Sequence, residues 1–211
     1  MNKDNEQDKI EKIGIMGGTF NPIHNGHLLI AEYAREEFKL DRVLFLPTGQ
    51  SPHKSDAAIA EASIRCDMIE LAIADNPFFQ LDFTEVNTEQ ISYTYLTLQN
   101  LKKVYPDAQL YFILGADSLF DLEGWKEPAQ ILMNCNVLAA YREQEEQKNF
   151  GKQIAYLNKK YNACIYPLHA PVFNVSSRNI RSRISKNETI RYLVPKEVDD
   201  YIKKARLYQE L

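Results

Sequence analysis

Two histidines three positions apart, His24 and His27, stand inside the run Gly17-Gly18-Thr19-Phe20-Asn21-Pro22-Ile23-His24-Asn25-Gly26-His27-Leu28. Imidazoles at that spacing lie on one side of a helical turn and can donate hydrogen bonds to the same anion. Just upstream, Ile13-Gly14-Ile15-Met16 has the apolar density of a buried parallel strand. Gly17 and Gly18 carry no Cβ, so a sharp turn and close approach of a ligand to the backbone are expected there. Pro22 sets one φ and pushes Asn21 towards an extended conformation. A helix is expected from about Gly26, with Ala31, Ala34 and Phe38 on one face and Glu32, Arg35, Glu36 and Lys39 elsewhere. Its first turn would offer unpaired N–H groups and the positive end of the helix dipole. Strand, glycine turn and helix start together make a phosphate site.

Competing readings of the run are weaker. No Gly-Lys-Ser/Thr follows the glycines, so it is not a Walker A loop. Gly14, Gly17 and Gly18 do not make the dinucleotide-binding fingerprint. His-x-x-His needs further metal ligands, and no nearby cysteine pair supplies them; no protein metal site is expected. The plain alternative is a structural turn with surface histidines.

A second segment has the same logic. Ser176-Ser177 before Arg178-Asn179-Ile180-Arg181 reads as a helix cap and first turn, either serine being able to cap. Arg181 falls one turn after Ser177, and its planar guanidinium can hold two phosphate oxygens. Without context this is equally a capped basic surface helix. Ser92-Tyr93-Thr94 is another helix start, and Trp125, the sole tryptophan, is either core packing or a stacking platform. Lys54, after Pro52-His53, reads by itself as a solubilising side chain.

In their order along the chain, these pieces resemble the nucleotidylyltransferase superfamily, whose signature is Gly-x-Phe-x-Pro-x-His-x-Gly-His, and within it the bacterial nicotinate mononucleotide adenylyltransferases. The resemblance also rests on Pro52-His53-Lys54, Phe112-Ile113-Leu114-Gly115-Ala116-Asp117-Ser118, Val175 to Arg181, and Tyr192-Leu193-Val194-Pro195 followed by Val198 and Tyr201-Ile202. It implies transfer of AMP from ATP to nicotinate mononucleotide, with Mg²⁺ accompanying ATP. It further implies catalytic roles for His24, His27 and Arg181, the last on the β- and γ-phosphates. Gly17, Gly18, Thr19, Phe20, Gly26, Gly115, Asp117 (on the ribose), Ser176 and Ser177 would bind ATP. Lys54 would take the mononucleotide phosphate, Trp125 would stack on the pyridine ring, and Ser92, Tyr93 and Thr94 would meet its carboxylate. Three departures touch the loops near the substrates. Asn21 replaces a common Asp, Arg178 a usual Thr, and Thr88-Glu89-Gln90-Ile91 stands where an Arg and a Gly often precede Ser92. Alternatives are nicotinamide mononucleotide as acceptor, another nucleotidyl transfer such as phosphopantetheine adenylylation or cytidylylation of glycerol phosphate, and a non-catalytic nucleotide-binding module.

The elements that must position these residues alternate. Strands are expected at Val43–Leu46, Phe78–Phe83, Gln109–Leu114, Cys135–Tyr141 and Ala163–Pro167. Helices are expected at Ile59–Ala74, Tyr93–Val104, Ser177–Ser185 and Lys196–Lys204, with Arg142–Lys148 a solvated loop and helix entry. That order predicts an α/β, Rossmann-like, doubly wound parallel sheet over 12–211, a single domain with a small C-terminal helical part. Ligands gather beyond the carboxyl ends of such strands, where most of the motifs fall.

Composition sets the outer limits. With 211 residues and 45% hydrophobic content, a full core is expected. A formal charge of −4 argues against a nucleic-acid partner. Met1 to Glu11 is mostly charged or amide, an expected frayed tail rather than a leader, and no apolar run approaches a membrane span. Cys66, Cys135 and Cys164 each adjoin apolar segments, so buried thiols and a reducing, cytoplasmic setting are expected. The oligomeric state is not legible.

Overall fold

The structure, a computed structural model, describes residues 10–49, 59–88, 91–141, 147–171 and 173–209 (backbone alone at 147 and 148). Six parallel strands form one sheet: β1 (Lys12–Gly18), β2 (Arg42–Pro47), β3 (Phe79–Leu81), β4 (Gln109–Gly115), β5 (Asn136–Ala140) and β6 (Ile165–Leu168). Their order is β3-β2-β1-β4-β5-β6. Central strands bury residues almost without interruption, as both-face burial demands. Side chains alternate between two cores. Ile13, Ile15, Leu44, Leu46, Phe112 and Leu114 face one side; Met16, Val43, Phe45 and Ile113 face the other.

Helices cover both faces. On the Phe45 side lie α1 (Asn25–Phe38), α2 (Ala62–Ile73), α7 (Ser177–Ser185) and α8 (Lys196–Lys204). On the Phe112 side lie α3 (Thr94–Val104), α4 (Ala116–Asp121), α5 (Pro128–Asn134) and α6 (Gln147–Tyr161), with a 3₁₀ turn at Leu122–Gly124. The C-terminal helices are tied to the body where Tyr201 Oη donates to Asp67 Oδ2 at 2.7 Å. Among the described residues no helix is long and apolar enough to cross a membrane.

The winding reverses between β1 and β4, which pair side by side from Lys12 opposite Gln109 to Met16 opposite Ile113. A crevice opens beyond the carboxyl ends of strands at such a reversal.

Three expectations need correction. The chain does not turn at Gly17-Gly18: β1 runs through Gly18, and the left-handed residue is Phe20, at φ 47°. Glycine at 18 instead clears room for the Phe20 ring, which would stand 3.2 Å from a Cβ there. Cys66 and Cys135 are buried, but Cys164 is exposed, because it enters β6 at the sheet edge. Finally, α4 and α5 are elements that the periodicity did not reveal, whereas α6 begins at Gln147, within the stretch read as a helix entry.

Candidate functional site

Beyond β1 the chain forms a loop, Thr19 to His24, whose carbonyls are gripped from three directions. Arg65 of α2 donates from Nη1 to Thr19 O at 2.9 Å, and from Nε to Ala60 O at 3.0 Å. Arg181 of α7 donates from Nη1 to Asn21 O at 2.8 Å, and Ser177 Oγ donates to Pro22 O at 2.8 Å. The Asn21 side chain is itself a node. Its Oδ1 accepts from Ala60 N at 3.1 Å and from Tyr208 Oη at 2.7 Å. Side chains, not a ladder of backbone bonds, hold this loop in place.

Arg65 is 2% exposed, and among the described residues no carboxylate pairs with it. Burial holds its guanidinium below the ordinary value. Tyr208 is pushed well above the ordinary phenol range, again by burial.

The loop delivers His24 as N-cap of α1, with extended backbone. The His24 and His27 rings stack at 3.6 Å between centroids, and Phe20 meets His27 edge-on at 5.0 Å. His24 N–H donates to His27 Nδ1 at 3.2 Å. Nδ1 is thereby an acceptor, so the neutral His27 ring carries its proton on Nε2 and can donate from there. Gly26 is needed for its lack of side chain: a Cβ would stand 2.9 Å from Val175 and 3.1 Å from the His24 ring.

The first turn of α1 offers less than expected to an anion. Asn25 N–H is taken by Leu193 O at 2.9 Å, and His27 N–H by His24 O at 2.9 Å. Gly26 N–H has no acceptor among the described residues. On α7, Ser176 is the cap, accepting from Asn179 N at 3.2 Å, while Ser177 latches the loop.

Two cavities flank this loop, of about 310 Å³ and about 330 Å³. Both fall in the size range of small-molecule sites. The first brings together His24, Gly26, His27, Gly115, Asp117, Ser176 and Ser177. Gly18, Thr19, Ser92, Tyr93 and Thr94 line the second. Gly17, Phe112, Ser118 and Trp125 line both, so the cavities share a wall there. The Trp125 ring is half-buried and packs edge-on against Phe112 at 6.2 Å, which makes it at once packing and wall.

Some expected site residues stand elsewhere. Gly18 and Thr19, which the resemblance groups with His24, Gly115 and Asp117, line the second cavity and not the first. Phe20 lines neither; it is 2% exposed, wedged between His27 and Phe45. Arg181 also lies outside both linings, and among the described residues its buried Nε has no acceptor. Lys54, with Pro52 and His53, lies outside the described residues.

Sequence reasoning missed Arg65, Tyr208, Glu85 and Lys126. Arg65 left one faint signal, a charge between the apolar Ile64 and Cys66 of a core helix. Glu85 lines the second cavity and accepts from Thr97 Oγ1 at 2.8 Å. Burial pushes its carboxyl up, against the opposing pull of the Thr97 and Ser92 hydroxyls. Among the described residues no cluster of three or more His, Cys, Asp or Glu side chains could hold a metal ion.

The sequence model of the cytidylyltransferase-like family matches residues 15–183. A relative from Lachnoclostridium phytofermentans, named "Probable nicotinate-nucleotide adenylyltransferase", is 43% identical over 199 residues, covering 94% of this chain and 100% of that one. One of the same name from Clostridium acetobutylicum is 42% identical over 199 residues, with the same coverage. Among solved structures, the fold is similar to Plasmodium falciparum nicotinic acid mononucleotide adenylyltransferase complexed with NaAD. That match has a TM-score of 0.75 and 20% identity, and covers 94% of this chain and 97% of that one.

Proposed function

The chain belongs to the cytidylyltransferase-like family, alongside relatives named for nicotinate-nucleotide adenylyl transfer. From that premise we propose that it moves AMP from ATP to nicotinate mononucleotide, giving nicotinate adenine dinucleotide and pyrophosphate. The observation that carries this reading is the pair of similar cavities meeting at Gly17, Phe112, Ser118 and Trp125. Two mononucleotide-sized ligands entering from opposite sides would bring their phosphate ends together beside His24, Gly26 and His27.

The acceptor's 5′-phosphate attacks the α-phosphorus of ATP in line, and pyrophosphate departs. A phosphate monoester with a second pKa of about 6 is largely dianionic at pH 7, so no general base is required. Rate enhancement then comes from alignment and from donors aimed at developing charge. His27 donates from Nε2, His24 lies beside it, and Gly26 N–H adds a backbone donor at the positive end of α1. Phe20 acts from behind, holding the His27 ring. Arg181 anchors the loop through Nη1, and the leaving-group role that the resemblance implies for it would require its guanidinium to turn into the first cavity. Asp117 accepts from ribose hydroxyls next to Gly115, while the α7 start at Ser176 and Ser177 faces the phosphate chain.

In the second cavity, Trp125 and Tyr93 flank the pyridine ring, with Ser92 and Thr94 at the α3 start. The acceptor phosphate falls to Lys54, as the family resemblance implies. Mg²⁺ fits as a companion of the nucleotide, since it binds through phosphates with several waters retained and needs no protein cage. When bound, it would neutralise charge on the phosphate oxygens.

The test is pyrophosphate release from ATP and Mg²⁺ with each mononucleotide in turn. Release that depends on nicotinate mononucleotide is expected. No release with either acceptor would overturn the assignment.

A further inference from the structure

Among the described residues lining the second cavity, two carry charge: Glu85 and Lys126. Their circumstances differ. Glu85 is half-buried and already engaged, accepting from Thr97 Oγ1. Lys126 follows Trp125 in the turn leading to α5 and is exposed. Its Nζ stands 5.8 Å from the centre of the Tyr93 ring, and Tyr93 is the N-cap of α3. Among the described residues, no carboxylate forms an ion pair with it. Among the described residues the cavity therefore has one anion already hydrogen-bonded and one cation with no carboxylate beside it, and that cation sits where Trp125 and the α3 start converge.

Resting on the adenylyl-transfer reading, we propose that Lys126 is a specificity-determining residue that favours an acceptor bearing a ring carboxylate over the corresponding amide. An ammonium has three donors and no acceptor. It meets both oxygens of a carboxylate favourably and adds charge attraction. Against a carboxamide it can satisfy only the carbonyl, and leaves the NH₂ group facing a cation. The Tyr93 face holds the ammonium near one place, so less side-chain freedom is lost on binding. The partly positive start of α3 acts in the same direction.

The same ammonium would also suit the acceptor's phosphate, and that possibility makes a different forecast. Phosphate is common to the acid and amide mononucleotides, so a phosphate role moves both reactions together. A carboxylate role moves their ratio.

The experiment measures kcat/KM by pyrophosphate release at saturating ATP, with nicotinate mononucleotide and with nicotinamide mononucleotide. It compares the wild type with Lys126→Met and Lys126→Arg. Methionine keeps most of the apolar stem and removes the charge; arginine keeps the charge. For Lys126→Met the acid-to-amide ratio should fall about tenfold, the scale of one hydrogen bond to a charged group. The loss should lie in KM for the acid, because the group is remote from the reacting phosphorus. Lys126→Arg should retain most of the ratio, and added salt should shrink the wild-type preference. An unchanged ratio in Lys126→Met overturns the proposal, whether both activities fall together or neither falls. Lys126→Gln serves as a second neutral variant should the methionine chain fold poorly. A wild type that releases no pyrophosphate with either acceptor would instead refute adenylyl transfer itself.

Discussion

Arg65 offers a test in which a nominally conservative change does more harm than a drastic one. Its side chain is 2% exposed and makes two hydrogen bonds, to Thr19 O and to Ala60 O. Bonds from an ionised donor are worth about 1.5–3 kcal/mol each, so the pair contributes about 3–6 kcal/mol. Against this stands the penalty of burying a cation with no carboxylate beside it among the described residues, on the order of several kcal/mol. Arg65→Met gives up the bonds but also removes the buried charge, and the two terms largely offset. A net loss of about 1–2 kcal/mol is expected. Arg65→Lys keeps the buried charge, and a single ammonium cannot reproduce the guanidinium's two-carbonyl fork. Its loss should be larger, about 2–4 kcal/mol. Urea denaturation followed by circular dichroism gives the order wild type, Met, Lys. Both variants should also lose about tenfold or more in kcat, since Thr19 O would no longer be held and the loop bearing His24 would shift. A lysine variant as stable and as active as wild type would refute the reasoning.

Other outcomes can be checked alongside. His27→Ala should lower kcat about 10²-fold while leaving the KM for ATP nearly unchanged, measured by pyrophosphate release; near-normal turnover would remove His27 from its assigned role. Trp125→Ala should raise KM for the mononucleotide more than for ATP, although the ring borders both cavities; equal effects would make it purely a packing residue. Glu85 has its carboxyl raised above 4.5 in the folded state, so its stabilising contribution is present below that value and lost as pH rises through the folded pKa. Glu85→Gln should therefore be more stable than wild type at pH 7, with the difference vanishing below about pH 4 in thermal unfolding. Iodoacetamide should label Cys164 in the native protein. It should spare Cys135, whose thiol burial pushes up to about 12. Peptide mapping that finds Cys135 modified at a similar rate would contradict that burial.

The sheet was legible because its central strands are buried on both faces. Such strands read as unbroken apolar runs, and β1, β2, β4 and β5 fall within a residue or two of where those runs lie. α7 and α8 match their expected limits, the former because a serine cap marks its start. The stretch from Ala116 to Asn134 was opaque. It folds as two short helices with a 3₁₀ turn between, each too brief to display a period. The histidine pair and its loop were legible as chemistry, yet not as geometry. Which N–H groups remain unpaired at the α1 start depends on Leu193, distant in sequence. Arg65 was invisible for a related reason, since its partners are backbone carbonyls, which no side-chain pattern records. Lys126 gained meaning only when the Trp125 turn and the α3 start were seen to line one cavity.

The grip on the loop from Thr19 to His24 has a consequence for the order in which the molecule is made. Ser177 reaches back 155 positions to Pro22, Arg181 reaches 160 to Asn21, and Tyr208 reaches 187 to the same asparagine. Contacts so far apart in sequence close late, after the local helices and the neighbouring strands have met. During synthesis the chain emerges N-terminal end first, so the loop leading to the two histidines precedes the clamps that set it by 155 to 187 positions. A nascent chain could already hold β1 through β5 in register and still leave the histidines unset. The phosphate loop is thus made long before it is finished, so that competence for turnover would report closure of the contacts from α7 and Tyr208.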